Sequence, residues 1–145
     1  MKKINADETV LAKCMFFVSN RLSNILRRKA EKIFQELDIG VPYVYLLILV
    51  NQYDGITQTE LGEKLDIAPS TCTRFVDKLV QEGVVRKEYD WKTAHVFITD
   101  KGREKCQGID ESLLKLKREY CEILGEEKAV ELTQKIWNTC EALSK

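Results

Sequence analysis

The sequence predicts a mainly α-helical chain carrying one small β-hairpin, and three observations lead there. Apolar residues recur at three-to-four spacing through most of the chain. Only the stretch after Gly83 changes to strand formers. The two prolines, Pro42 and Pro69, both stand where a helix can begin.

The first element is one long amphipathic helix. Leu11, Met15, Val18, Leu22, Ile25, Leu26, Ile33 and Leu37 share a stripe, and Asp38-Ile39-Gly40 ends it. A second helix runs from about Pro42 to Tyr53 and closes at Asp54-Gly55. Its apolar run Tyr43–Val50 is too short to span a bilayer and reads as a buried helix. Thr57-Gln58-Thr59-Glu60 has the S/T-x-x-E spacing of a capping box, so a third helix starts there and reaches Leu65. Asp66-Ile67-Ala68 then turns the chain into a fourth helix, from Pro69 to Glu82, with Gly83 as its stop.

Val84–Tyr89 and Ala94–Thr99 are rich in strand formers and form the hairpin, joined by Asp90-Trp91-Lys92-Thr93. Beyond it Cys106, Ile109, Leu113, Leu116, Tyr120 and Ile123 keep an a/d spacing. Gly125 breaks that helix, and a last one from Glu126 to Ser144 gathers Ala129, Leu132, Ile136, Cys140 and Leu143 on one side.

The 145 residues, 44% apolar and 32% charged, describe one folded domain rather than a disordered chain. Net charge is zero: residues 1–55 carry two surplus basic groups, 56–105 balance, and 106–145 carry two surplus acidic groups. Composition thus neither favours nor excludes a polyanionic partner. The five cysteines (Cys14, Cys72, Cys106, Cys121, Cys140) are scattered and odd in number, and His95 is the single histidine. This excludes a zinc knuckle, a CxxC redox motif and a disulfide scaffold, and points to a reducing cytoplasm. Acidic and polar residues interrupt the N-terminal segment, so no signal peptide and no membrane association are expected. Without a nucleophile–base pair or a metal cluster, the chain is expected not to be an enzyme and to need no cofactor.

Helix, short turn, helix, hairpin is the order of a winged helix-turn-helix, here residues 42–99. In such a unit the second helix docks by one face and meets DNA with the other. On the 69–82 helix, Cys72, Phe75, Val76 and Leu79 cluster on one side, and Ser70, Thr71, Thr73, Arg74 and Lys78 cover the rest. Hydroxyls at the helix start suit phosphate, and Arg74, one turn on, suits a guanine edge. Asp77 would repel phosphate but could accept from a cytosine amino group. The hairpin places Trp91 and Lys92 at its tip and Arg86 and Lys87 at its base, where basic side chains can follow a minor groove. Alone, Lys92 would be a solvated lysine and Trp91 a ring folded on its own hairpin.

Residues 57–87, TQTELGEKLDIAPSTCTRFVDKLVQEGVVRK, resemble the helix-turn-helix of the MarR family of transcriptional regulators. FITDKGR, residues 97–103, resembles that family's exit from the wing into its dimerisation helix. Length and helix order extend the resemblance over nearly the whole chain. It implies that Ser70, Thr71, Thr73 and Arg74 touch DNA, and that Asp90 and Lys92 match the wing aspartate and arginine. Two departures stand out: the wing arginine is lysine, without the planar fork, and the wing between Arg86 and Asp90 is about two residues short.

The flanking helices, residues 1–38 and 100–145, are too apolar for one small winged unit to cover, so they are expected to build a twofold homodimer on a pseudo-palindromic operator. The resemblance further implies repression relieved by a small-molecule effector. A phenolic or other apolar anion is expected near Arg21, Tyr43 and Tyr45, between the first two helices and the fifth. Two alternatives stand beside this reading. One is a winged-helix protein-interaction module without DNA binding. The other is a thiol-redox-sensing regulator using Cys14, although alignment through Pro42 sets Phe16 at the sensing position of that branch.

Overall fold

The computed structural model describes residues 10–145. The first amphipathic stripe does not form one unbroken helix. A 3-10 turn at Val10–Lys13 precedes α1, Met15–Phe34, and a second 3-10 turn at Gln35–Leu37 follows it. Asp38 then takes a left-handed conformation, φ 52°. That αL residue, which aspartate tolerates better than most side chains, turns the chain where periodicity alone would extend the helix.

The next helix, α2 (Val41–Gln52), begins with Pro42 in its first turn, as its fixed φ favours. Val44, Leu46, Leu47 and Val50 on it are completely buried. A helix apolar around its whole circumference belongs inside, and α2 is the centre of the core. Phe34 from α1, Leu61, Val76 and Leu79 from the next two helices, and Cys106 and Ile109 from α5 complete that core.

Residues 56–57 form a short strand, β1 (Ile56–Thr57), that the alternation rule is too coarse to find. Thr57 then caps α3 (Gln58–Leu65): the Glu60 N–H donates to Thr57 Oγ1 at 3.1 Å. Asp66, φ 53°, and two further residues lead into α4 (Pro69–Gln81). Gly83, φ 77°, reverses the chain after it.

Strands β2 (Val85–Asp90) and β3 (Thr93–Ile98) pair antiparallel from Val85↔Ile98 out to Asp90↔Thr93. The connecting turn is therefore Trp91-Lys92 alone, and Asp90 and Thr93 belong to the ladder. β1 pairs with the other edge of β3, giving the order β1-β3-β2.

The long helix α5 (Asp100–Leu124) starts at Thr99, whose Oγ1 accepts from the Gly102 N–H at 3.1 Å and donates to Gly83 O at 2.7 Å. Gly102 is required by contact rather than by backbone angle. A Cβ there would lie 2.1 Å from Val84 O and 2.6 Å from Ile98 Cδ1. Gly125 separates α5 from α6 (Glu126–Leu143). Among the described residues, no single helix is long and apolar enough to cross a membrane.

Candidate nucleic-acid interface

Helix α4 divides as its sequence pattern predicts. Cys72, Val76 and Leu79 are buried against α2 and α3, with Phe75 half-buried 4.9 Å from the Tyr43 ring. On the opposite side Ser70, Arg74, Asp77, Lys78 and Gln81 lie together on the solvent-exposed face of the helix. Pro69, Ser70, Arg74 and Lys78 are exposed, while Thr71 and Thr73 are half-buried. Burial holds the Cys72 thiol above its usual pKa despite the opposing effect of the Lys87 charge, so Cys72 packs as a small neutral side chain.

Thr73 differs from the expectation of a free hydroxyl. Its Oγ1 donates to Pro69 O at 3.0 Å and accepts from Gln58 Nε2 at 2.7 Å. The residue ties the start of α4 to the start of α3, and only the remaining lone pair of Oγ1 is left for DNA. Gln58 Oε1 is buried without a hydrogen-bond partner, so this tie carries a desolvation cost. Arg74 is exposed, with its guanidinium 5.5 Å from the Phe75 ring centre.

Asp77 is the anionic residue on this face, and the fold answers it. Lys87 Nζ donates to Asp77 Oδ1 at 2.8 Å; the lysine side chain is 14% exposed and the aspartate 59%. Burial by itself would lower the Lys87 pKa, but the hydrogen bond and charge of Asp77, helped by Tyr89, outweigh it and raise it. Lys87 therefore keeps its charge, and the contact joins the wing base to α4. Lys78 forms a looser contact, 3.8 Å, with Glu82 on its own helix.

On the wing, Arg86 pairs with Glu88 and stacks 4.5 Å from the Phe97 ring centre. It lies on the face of β2 opposite Lys87 and Tyr89. Asp90, Trp91 and Lys92 are exposed at the tip, with Trp91 at φ 60° and 78% exposed. The ring is not folded on its own hairpin.

Of the expected effector residues, Tyr43 and Tyr45 are not brought together. Tyr43 packs on Phe75 of α4, whereas Tyr45, two positions on and so about 200° around α2, is half-exposed beside Tyr120 of α5. Burial, and secondarily Tyr120, raise the Tyr45 pKa. Arg21 is exposed on α1. Residues i and i+2 of a helix cannot line one pocket, which is why the Tyr43–Tyr45 pairing fails. Sequence reasoning missed the Asp77–Lys87 pair, the Gln58–Thr73 bond and the Tyr43–Phe75 contact; none leaves a periodic or motif signal.

Residues 46–86 match a family model described as winged helix-turn-helix DNA-binding. An HTH-type transcriptional regulator of Bacillus cereus is 26% identical over 76% of this chain and 71% of its own length. A MarR-family transcriptional regulator from Rhodococcus sp. RHA1 has the same fold: TM-score 0.80, 17% identity, covering 94% of this chain and 96% of that one. The transcriptional repressor CouR, solved bound to a 23-mer DNA duplex, superposes at TM-score 0.88 with 17% identity, over 96% of this chain and 99% of its own. These relatives are transcriptional regulators rather than enzymes. With the helix-turn-helix matched, the wing in place and the flanking helices in the same order as in these structures, the chain carries a winged helix-turn-helix DNA-binding unit within the fold seen in MarR-family regulators.

Proposed function

We propose that the chain is a homodimeric repressor that binds a pseudo-palindromic operator, with α4 in the major groove and the hairpin at the neighbouring minor groove. The observation carrying this reading is the split of α4: its apolar face is buried, and Ser70, Arg74 and Lys78 are exposed on the other side. Ser70 and Thr71 at the helix start serve phosphate, joined by what remains of Thr73. Arg74 reads a base edge, Lys78 and Arg86 add phosphate contacts, and Asp90 and Lys92 belong to the wing contact.

Residues 42–99 act as the DNA-binding unit, and residues 1–38 and 100–145 as the dimerisation helices. Support for the latter is the apolar surface they leave exposed in one chain: Phe16, Ile123, Trp137 and Leu143 are each more than 60% exposed. Patches of this kind mark association surfaces. CouR has also been solved bound to p-coumaroyl-CoA, which supports response to an apolar anionic effector. We place that effector near Arg21 and Tyr45, with Tyr43 serving as the link from α2 to α4.

The test is binding of fluorescent duplexes, selected from a randomised pool, across a salt series. A steep loss of affinity with salt is expected, since released counterions scale with phosphates contacted. Arg74→Ala should relax base preference at one position per half-site and cost about 1–3 kcal/mol. Flat salt dependence, or binding indifferent to Arg74, would instead favour a protein-docking module, which zero net charge permits. A thiol-sensing reading draws on the exposure of Cys14. Operator affinity unchanged by peroxide is the outcome expected here, and a loss reversed by dithiothreitol would replace the effector reading.

A further inference from the structure

The wing tip carries a residue that neither folding nor the helix-turn-helix explains. Trp91 occupies the first position of the two-residue turn and has φ 60° there, while Lys92 after it does not have positive φ. Positive φ at the first position only is the pattern of a II′ turn, where glycine is at home and a bulky side chain is strained. The indole is 78% exposed, so packing within the chain returns little for that strain. Strain retained without local compensation points to a function outside the chain.

The position of the tip identifies the partner. Lys87, on β2, faces α4 through Asp77, and Tyr89 lies on the same face with its ring 5.8 Å from the Lys87 ammonium. The strand continues past Lys87 for four residues to Trp91, about 13 Å at the rise of an extended chain. This suffices to cross one phosphate backbone from a major groove holding α4 to the adjacent minor groove. Lys92 brings a positive charge to the same turn, as a phosphate-lined groove requires.

We propose that Trp91 is a DNA wedge: its indole enters the minor groove beside the half-site and presses against a base step. The inference rests on the reading of α4 as the major-groove helix. Apolar wedges of this kind unstack flexible steps, so Trp91 would confer preference for TA or CA/TG steps at the half-site flank, apart from the bases read by Arg74.

The chain has two tryptophans, Trp91 and Trp137, so Trp137→Phe, used once sedimentation and duplex anisotropy match those of the unsubstituted chain, leaves Trp91 as the sole reporter. Adding a labelled duplex selected from a randomised pool should quench Trp91 emission and reduce its accessibility to acrylamide about threefold, as stacking on bases requires. Trp91→Ala and Trp91→Gly should each weaken binding about tenfold and erase the flank preference. Trp91→Gly should also melt no lower than the parent, because glycine relieves the positive φ; lower affinity in an equally stable protein is the signature of strain kept for binding. With duplex bound by anisotropy, unchanged Trp91 emission or an unaltered flank preference in Trp91→Gly overturns the wedge and leaves the α4 reading intact. Failure of the unsubstituted chain to bind any duplex overturns both.

Discussion

Asp77 presents its carboxylate on the face of α4 that we assign to DNA, and Lys87 forms a 2.8 Å ion pair with it. Two single substitutions and their combination separate this compensating role from a direct phosphate contact. Lys87→Met should weaken duplex binding about tenfold by leaving the carboxylate uncompensated near phosphate, and Asp77→Asn should restore it in the double variant. A lysine touching phosphate itself would show no rescue. A second prediction concerns Cys106, buried between α5 and α2 with its Sγ 3.8 Å from Leu47 O. Burial, and secondarily Asp110, push this thiol from 9.0 up to about 11. The unfolded chain therefore loses this proton first, and the stabilisation is complete below pH 9 and lost as pH rises to about 11. The loss is of the order of 2–3 kcal/mol. Chemical denaturation across that range should show it, and Cys106→Ala should flatten the slope even though its stability starts lower.

Elements are held by a few local devices whose loss is measurable. Thr57 satisfies the Glu60 N–H at the start of α3, so Thr57→Ala should cost about 1 kcal/mol in denaturant unfolding. DNA binding should weaken with it only as far as α3 frays and releases the Gln58–Thr73 tie. Gly102 is a harsher case. A methyl group there would collide with Val84 O at 2.1 Å, a backbone atom that cannot move without the β2–α4 junction moving too. Gly102→Ala is expected to cost about 3 kcal/mol or more, read as a fall in Tm, by separating α5 from the wing sheet. The same contact explains why FITDKGR is legible in the sequence: a helix start this close to a sheet leaves room for hydrogen alone. α1 shows the opposite limit. Its stripe runs smoothly from Leu11 to Leu37, yet the left-handed turn at Asp38 and the flanking 3-10 segments shorten the helix to Met15–Phe34. Periodicity reports which face is apolar, not where hydrogen bonding changes register.

For the whole molecule, the division of labour between a central winged unit and flanking helices sets the last prediction. Trp137 and Ile136 lie exposed on α6, 64% and 41%, in the surface we assign to the second copy. Ile136→Glu with Trp137→Glu should produce a monomer by sedimentation. It should also lower Tm and remove its dependence on protein concentration, because a dimer is stabilised by mass action. Half-site binding would persist at high concentration, and two-site binding would be lost. If the doubly substituted chain remains a dimer, the interface lies elsewhere.

By itself the sequence determined the order of the helices, the caps at Thr57 and the two prolines, the hairpin, and the split of α4 into a docking face and a polar face. These depend on interactions within about four residues or on a repeating period, both of which a single chain displays directly. Only the tertiary structure decided that Lys87 neutralises Asp77, that Gln58 engages Thr73, and that Asp54 receives the Ile98 N–H; these partners are separated by 10, 15 and 44 positions. Their meeting depends on how elements cross, as does the pairing of β1 with β3 and the divergence of Tyr43 and Tyr45 toward different helices. Local spacing specifies each surface, and the packing angle between elements selects which surfaces touch.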